Sequence, residues 1–133
     1  MESDLHRRMK DRACRELAGE GYRVFFEPLY APSQFLTWEA YRPDLFGSRA
    51  GQGRQEYALV ECETRPSEKR LSSKNFRSLQ VQTRLDSQLS LRRILVVPRG
   101  KLAQVDPSVR RDWEMWIYEG GNLLRFPTAS PAV

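Results

Sequence analysis

The sequence is short of most of the parts from which common active sites are assembled. It holds one histidine, His6, and two cysteines, Cys14 and Cys62, among 133 residues. A single histidine so near the start gives no sign of a Ser-His-Asp arrangement, and no zinc-ligand spacing is present. Two thiols without an export signal read as reduced core residues rather than a disulfide framework. No apolar stretch approaches the ~18 residues that a membrane-spanning helix needs. The opening Met-Glu-Ser-Asp-Leu-His-Arg-Arg lacks the apolar core of a signal peptide, so a cytoplasmic, intracellular address is expected. Gly47, Gly51 and Gly53 are not followed by the Lys-Ser/Thr of a phosphate-binding loop. Internal repeats are also missing.

What is present describes an ordinary globular chain, with 40% hydrophobic and 29% charged residues. Its length suits one core and not two. One domain is expected over residues 1–126, with 127–133 as a flexible tail. The net charge of +5 is unevenly spread. Between Arg65 and Arg111 twelve Lys/Arg face three acids, whereas residues 1–64 hold nine basic and eleven acidic side chains. That asymmetry suggests a polyanion-binding surface beside a region able to hold cations.

Ser3 is placed to cap a first helix reaching about Ala18, because Leu5, Met9, Ala13 and Leu17 recur every four residues. Gly19 and Gly21 stop it. Tyr22 to Glu27 reads as a strand ended by Pro28, and 28–38 as a long loop containing Phe35 and Trp38. Glu39 to Phe46 reads as a second strand, Gly47 to Gly53 as a hairpin connection, and Glu56 to Thr64 as a third strand. A long helix is expected over 67–89. On it Arg70, Arg77 and Arg84 repeat every seven residues and drift only ~20° per step, so they form one basic ridge. Arg93 to Pro98 is a short apolar run of the kind buried on both faces. Asp106-Pro107 opens another helix with Val109, Trp113 and Trp116/Ile117 on one side, and Tyr118 to Phe126 supplies a last strand. The expected order is α-β-β-β-α-β-α-β, an α/β fold with a mixed central sheet flanked by helices.

The most informative segment is Tyr57-Ala-Leu-Val-Glu-Cys-Glu-Thr64. Residues i and i+2 of a strand share a face, so Glu61 and Glu63 project together. Adjacent like charges near a core need something positive between them, and Mg2+ or another hard dication is the simplest candidate. Asp44, seventeen positions before Glu61, falls on the preceding strand and meets the pair if the two strands form a hairpin.

Pro43-Asp44, a hairpin and Glu61-Cys62-Glu63 resemble the PD-(D/E)XK nuclease superfamily, the restriction-endonuclease-like fold. The resemblance covers about residues 4–98 and is closest to the small archaeal Holliday-junction resolvase-like proteins. It implies a metal-dependent DNA endonuclease in which Asp44, Glu61 and Glu63 hold Mg2+ or Mn2+ and are catalytic. Glu63 stands where most members carry Lys, an E-x-E form of the motif. A Glu accepts a proton or binds a second metal, whereas a Lys only donates or stabilises charge. Lys69 or Lys74 on the following helix could restore the missing positive charge. One further acid usually comes from the opening helix, where Glu2, Asp4 and Asp11 compete, and His6 and Glu27 are additional supporting candidates.

Arg70, Lys74, Arg77, Arg84, Arg93 and Arg99, together with Lys69 and Arg92, would neutralise phosphates without reading sequence. The charge does not separate DNA from RNA. Cutting both strands takes two sites, so a homodimer is expected. The alternative reading is a DNA-binding or complex-forming subunit that keeps the fold without turnover. Trp113 to Tyr118 beside Arg110-Arg111 could stack on bases, although aromatic residues at helical spacing are better explained as core.

Overall fold

The chain is described by a computed structural model, which covers residues 2–27, 43–53, 55–67, 70–71 and 90–126. It opens with helix α1, Asp4–Gly19. Ser3 takes an extended backbone and its Oγ accepts the His6 N–H at 3.1 Å, satisfying one of the orphan donors of the first turn. Asp4 in that turn complements the helix dipole. Met9, Ala13 and Leu17 are buried along one stripe, and Lys10 is buried beside them. At the far end the Gly21 N–H bonds to Ala18 O and the Tyr22 N–H to Leu17 O. This double cap needs a left-handed residue after the helix, and Gly21 supplies it at φ 93°.

Six strands follow: β1 Arg23–Phe26, β2 Leu45–Ala50, β3 Gln55–Cys62, β4 Ser90–Pro98, β5 Glu114–Glu119 and β6 Asn122–Phe126. They lie side by side in chain order in one sheet. The β1/β2, β2/β3 and β5/β6 pairs are antiparallel, and β3/β4 and β4/β5 are parallel. Between β4 and β5 run a 3-10 turn, Arg99–Gln104, and helix α2, Pro107–Asp112. Asp106 caps α2 by accepting from Ser108 N–H, with Pro107 in the first turn.

The central strands are buried on both faces, which is why they read as continuous apolar runs. One face packs Leu45, Ala58, Val60, Cys62, Ile94, Val96 and Trp116 against the Met9–Ala13–Leu17 stripe of α1. The other packs Phe46, Tyr57, Leu59, Leu95, Val97, Met115 and Ile117 with Leu71, Val105, Val109 and Trp113. Cys14 and Cys62 form no disulfide, with Cys62 in the core and Cys14 half-buried. Among the described residues no helix is long and apolar enough to cross a membrane.

The architecture is the mixed sheet flanked by helices that the sequence implies, with three revisions in its elements. The second strand starts at Leu45 and runs through Gly47 to Ala50, so these residues are strand and not turn. Gly47 sits opposite Ala58, and a Cβ there would press within 3.2 Å of the Tyr22 ring. It is a close-packing glycine. The helix after Asp106 ends at Asp112, and Glu114–Glu119 is a strand, so Trp116 and Ile117 point to opposite faces. The single last strand is consequently a hairpin, β5 and β6, turning at Gly120-Gly121, which take φ of 56° and 87°. Of the long helix expected over 67–89, Arg70 and Leu71 are helical, with the Leu71 N–H bonded to Ser67 O at 2.9 Å. Residues 72–89, the loop carrying Phe35 and Trp38, and the tail 127–133 lie outside the described residues.

Candidate active site

β3 is the point at which the sheet changes from antiparallel to parallel pairing. Ligand crevices in open α/β sheets form beyond the carboxyl ends of the parallel strands. A cavity of about 630 Å³ opens there, lined by Glu2, Ser3, Leu5, His6, Glu27, Asp44, Cys62, Glu63, Thr64, Arg65 and Arg70. Three parts of the chain build it: the first turn of α1, the ends of β1 and β2, and the exit of β3.

The local hydrogen bonds explain why these residues meet. The β2/β3 ladder stops at Leu45–Val60. One residue earlier, Asp44 Oδ2 accepts the Cys62 N–H at 2.8 Å, so a side chain takes over where the strand ends. The Asp44 carbonyl accepts the Glu27 N–H at 2.9 Å. Glu27 has φ 38°, the one positive value among described non-glycine residues, in a region that costs a side-chain-bearing residue about 1 kcal/mol. On the other side of β3 the Glu63 N–H bonds to Val96 O at 2.9 Å, which continues the β3/β4 pairing past Cys62.

Asp44 and Glu63 therefore line one cavity. Glu61 does not line it; the residue is 2% exposed and belongs to the body of the strand. Glu63 is 3% exposed, with Oε2 3.6 Å from Arg70 Nε. Of the acids on the opening helix the cavity takes Glu2. Asp4 points to solvent and pairs with Arg7 and Arg8, and Asp11 is exposed.

His6 is the hub. Its Nδ1 lies 2.9 Å from Glu2 Oε1, and its Nε2 lies 3.0 Å from the Cys62 carbonyl and 3.4 Å from Asp44 Oδ2. Lys10, one turn on, is ion-paired to Glu2 and lies 3.6 Å from Glu27. Burial disfavours its charge, but the hydrogen bond to Glu2 and the fields of Glu27 and Asp44 outweigh that and hold the ammonium above its ordinary range. The hydrogen bond from Lys10, then that from His6, holds the Glu2 carboxyl below the usual range. A buried lysine at the site was not foreseen. Between Met9 and Ala13 it reads as an ordinary polar-face residue, and only the packing shows otherwise.

The basic residues divide. Arg65 and Arg70 line the cavity. Arg92 is committed to Glu114 and Glu20, through contacts of 2.6 and 2.7 Å, on the α1 face of the sheet. This removes it from the phosphate-binding set, because its charge is already neutralised inside the protein. Arg93 lies over the Trp113 ring and donates to the Asp112 carbonyl, and Arg99 pairs with Glu119 at 2.5 Å. Lys69, Lys74, Arg77 and Arg84 lie outside the described residues. Trp113 and Trp116 are 1% and 0% exposed, so the aromatic cluster near Arg110 is core and presents no stacking platform.

The donor chemistry suits a hard dication. Among the described residues no three His, Cys, Asp or Glu side chains are gathered to hold an ion unaided. A carboxylate and a carbonyl supplemented by water and substrate phosphate is the coordination that Mg2+ commonly accepts.

No family model matches the sequence, and no curated protein matches it significantly. Solved structures do share the fold. The chain is similar to an XisH family protein from Nostoc punctiforme PCC 73102, with TM-score 0.54 and 13% identity over 90% of this chain and 98% of that one. It is also similar to an fdxN element excision controlling factor protein from Anabaena variabilis, with TM-score 0.52, 12% identity and the same coverage.

Proposed function

We propose that the chain is a divalent-metal-dependent endonuclease that hydrolyses phosphodiester bonds in DNA, with Asp44 and Glu63 as the acids that face the substrate. The observation that carries this reading is their meeting in one cavity with Arg65 and Arg70, at the carboxyl end of β3. Carboxylates beside arginines at the carboxyl end of a parallel strand suit a phosphate ester and the cation that neutralises it.

Asp44 would hold a Mg2+ or Mn2+ ion, oriented by the Cys62 N–H that its Oδ2 accepts. The bound ion supplies charge neutralisation at phosphate and acidifies water. Glu63, where a lysine stands in most proteins with this motif, is positioned to accept the proton of the attacking water and not to donate one. Arg65 and Arg70 bind the phosphate's non-bridging oxygens. Glu61, interior and two residues back along β3, shares a strand face with Glu63 and lies nearer the core. Cutting both strands requires two such sites, so a homodimer is part of the proposal.

Supercoiled plasmid and branched DNA, incubated with the protein in Mg2+ or Mn2+, test it. Nicking is expected, and it disappears in Asp44→Asn and falls in Glu63→Gln. A second reading is favoured by one contact, the 3.6 Å approach of Arg70 to Glu63, which commits the carboxylate to a neighbouring cation. A similar solved structure is described as an excision controlling factor, and an accessory role in DNA excision without turnover suits such a neutralised site. DNA binding of normal affinity with no nicking in either metal selects that reading.

A further inference from the structure

His6 meets acceptor atoms at both ring nitrogens. Its Nδ1 faces the Glu2 carboxylate at 2.9 Å. That carboxylate is ion-paired with Lys10 and accepts, so Nδ1 carries the hydrogen. In the neutral ring Nε2 is then a bare lone pair. It faces two more acceptors, the Cys62 carbonyl at 3.0 Å and Asp44 Oδ2 at 3.4 Å. A lone pair facing two acceptor atoms calls for a positive charge beside it, either a proton on Nε2 or a cation.

The spacing, an ordinary hydrogen-bond length to Cys62, also accommodates a cation. Two ligands about 2.1 Å from one ion and at right angles to each other lie about 3.0 Å apart. Both separations from Nε2 fall close to that edge length. A carboxylate bonded to the far nitrogen of the ring is also the usual support of a metal-binding histidine, because it fixes the tautomer and raises the basicity of the ligating nitrogen. Glu2, itself steadied by Lys10, supplies that support.

We infer that His6 Nε2, Asp44 Oδ2 and the Cys62 carbonyl form one face of a divalent-cation site that favours Mn2+ over Mg2+, with Glu2 as the positioning residue of the imidazole. This rests on the nuclease reading of the same cavity and goes beyond it by assigning a nitrogen ligand and a metal preference. Oxygen donors alone suit Mg2+ and Mn2+ alike, whereas imidazole shifts affinity towards the transition ion. Glu63 and Arg70 line the same cavity.

His6 is the only histidine of the chain, so an untagged preparation gives a direct reading. Metal-free full-length protein, made with 14N- or 15N-histidine, is loaded with Mn2+ and measured by electron spin echo spectroscopy. The inference predicts an imidazole-nitrogen coupling that changes with the isotope. It also predicts that the coupling is lost in His6→Gln, and that Glu2→Gln weakens Mn2+ binding by roughly 10–100-fold. Mn2+ bound without nitrogen coupling in the unmutated protein overturns the ligand assignment and leaves the nuclease reading standing. Failure to bind Mn2+ at millimolar concentration overturns both.

Discussion

The two ends of α1 carry charged clusters of opposite design. At the carboxyl end, Arg92 makes a two-pronged contact with Glu114 at 3.1 and 2.6 Å and reaches Glu20 at 2.7 Å. Arg125 pairs with the same Glu20, and the Trp116 indole donates to Glu114 at 2.7 Å. Arg49 and Arg125 lie over the Tyr22 and Trp116 rings. Acids and guanidinium groups there satisfy one another, and the cluster ties α1 to β4, β5 and β6. At the amino end four carboxylates (Glu2, Glu27, Asp44 and Glu63) line a cavity with two arginines. Only one described non-glycine residue takes a positive φ, and it is one of these four, Glu27. One helix thus presents a closed network at one end and an acid-rich hollow at the other. At the closed end ion pairs tie elements together; at the hollow Lys10, His6 and Arg70 face the four acids around a cavity open to a ligand.

The comparison breaks down if the two clusters respond alike to mutation. The largest expected effect is at the hollow. Asn at position 44 keeps an oxygen for the Cys62 N–H, so Asp44→Asn preserves the fold while lowering plasmid nicking by about 100-fold or more, measured with the Tm taken alongside. The converse is Arg92→Met. Removing one partner of a buried pair costs about 3–5 kcal/mol, and the partial exposure of Arg92 reduces this to about 2–3 kcal/mol. A fall of about 6–12 °C in Tm follows, with nicking per folded molecule unchanged.

A pH titration sharpens the same contrast. Burial pushes the Glu20 carboxyl up, but Arg92 and Arg125 outweigh it and hold it below its usual 4.5. A group depressed on folding contributes stability that is complete above the unfolded value and fades as pH falls through the folded one. Stability measured by urea from pH 6 downwards therefore falls below about pH 4.5 in the wild type and less steeply in Arg92→Met. Smaller again is Ser3→Ala. It removes the α1 cap for about 1 kcal/mol and loosens the turn that carries His6, so Mn2+ affinity falls together with Tm. The smallest contrast is between two surface arginines. Arg70→Ala, at the cavity, lowers the salt slope of DNA binding by about 1, whereas Arg99→Ala, paired with Glu119, leaves the slope and the Tm as they were.

Much of this arrangement was legible in the residues. The four-residue recurrence from Leu5 to Leu17 and the cap at Ser3 gave α1 almost to its ends, because a helix docked on a sheet needs a stripe and a stop. The second and third strands pair as the hairpin that the meeting of Asp44 with the Glu61 run requires. The stretch from Val109 to Ile117 misled because Val109, Trp113 and Trp116/Ile117 fit a helical period. In a strand buried on both faces Met115 and Ile117 go one way and Trp116 the other, so every residue is apolar and the two-residue period vanishes. Choosing Glu2 over Asp4 and Asp11 was not possible from one sequence, since all three stand at polar positions before or within the first half of α1. The burial of Lys10 depends on Glu2 and Glu27 arriving from elsewhere, and nothing local announces it.

Calorimetric titration of Mn2+ into the metal-free wild type and Asp44→Asn tests the central claim most directly. A cation-binding hollow built on Asp44 predicts a saturable site in the wild type that is lost or weakened beyond measurement in the variant, at unchanged Tm. Indistinguishable titrations of the two proteins would contradict it.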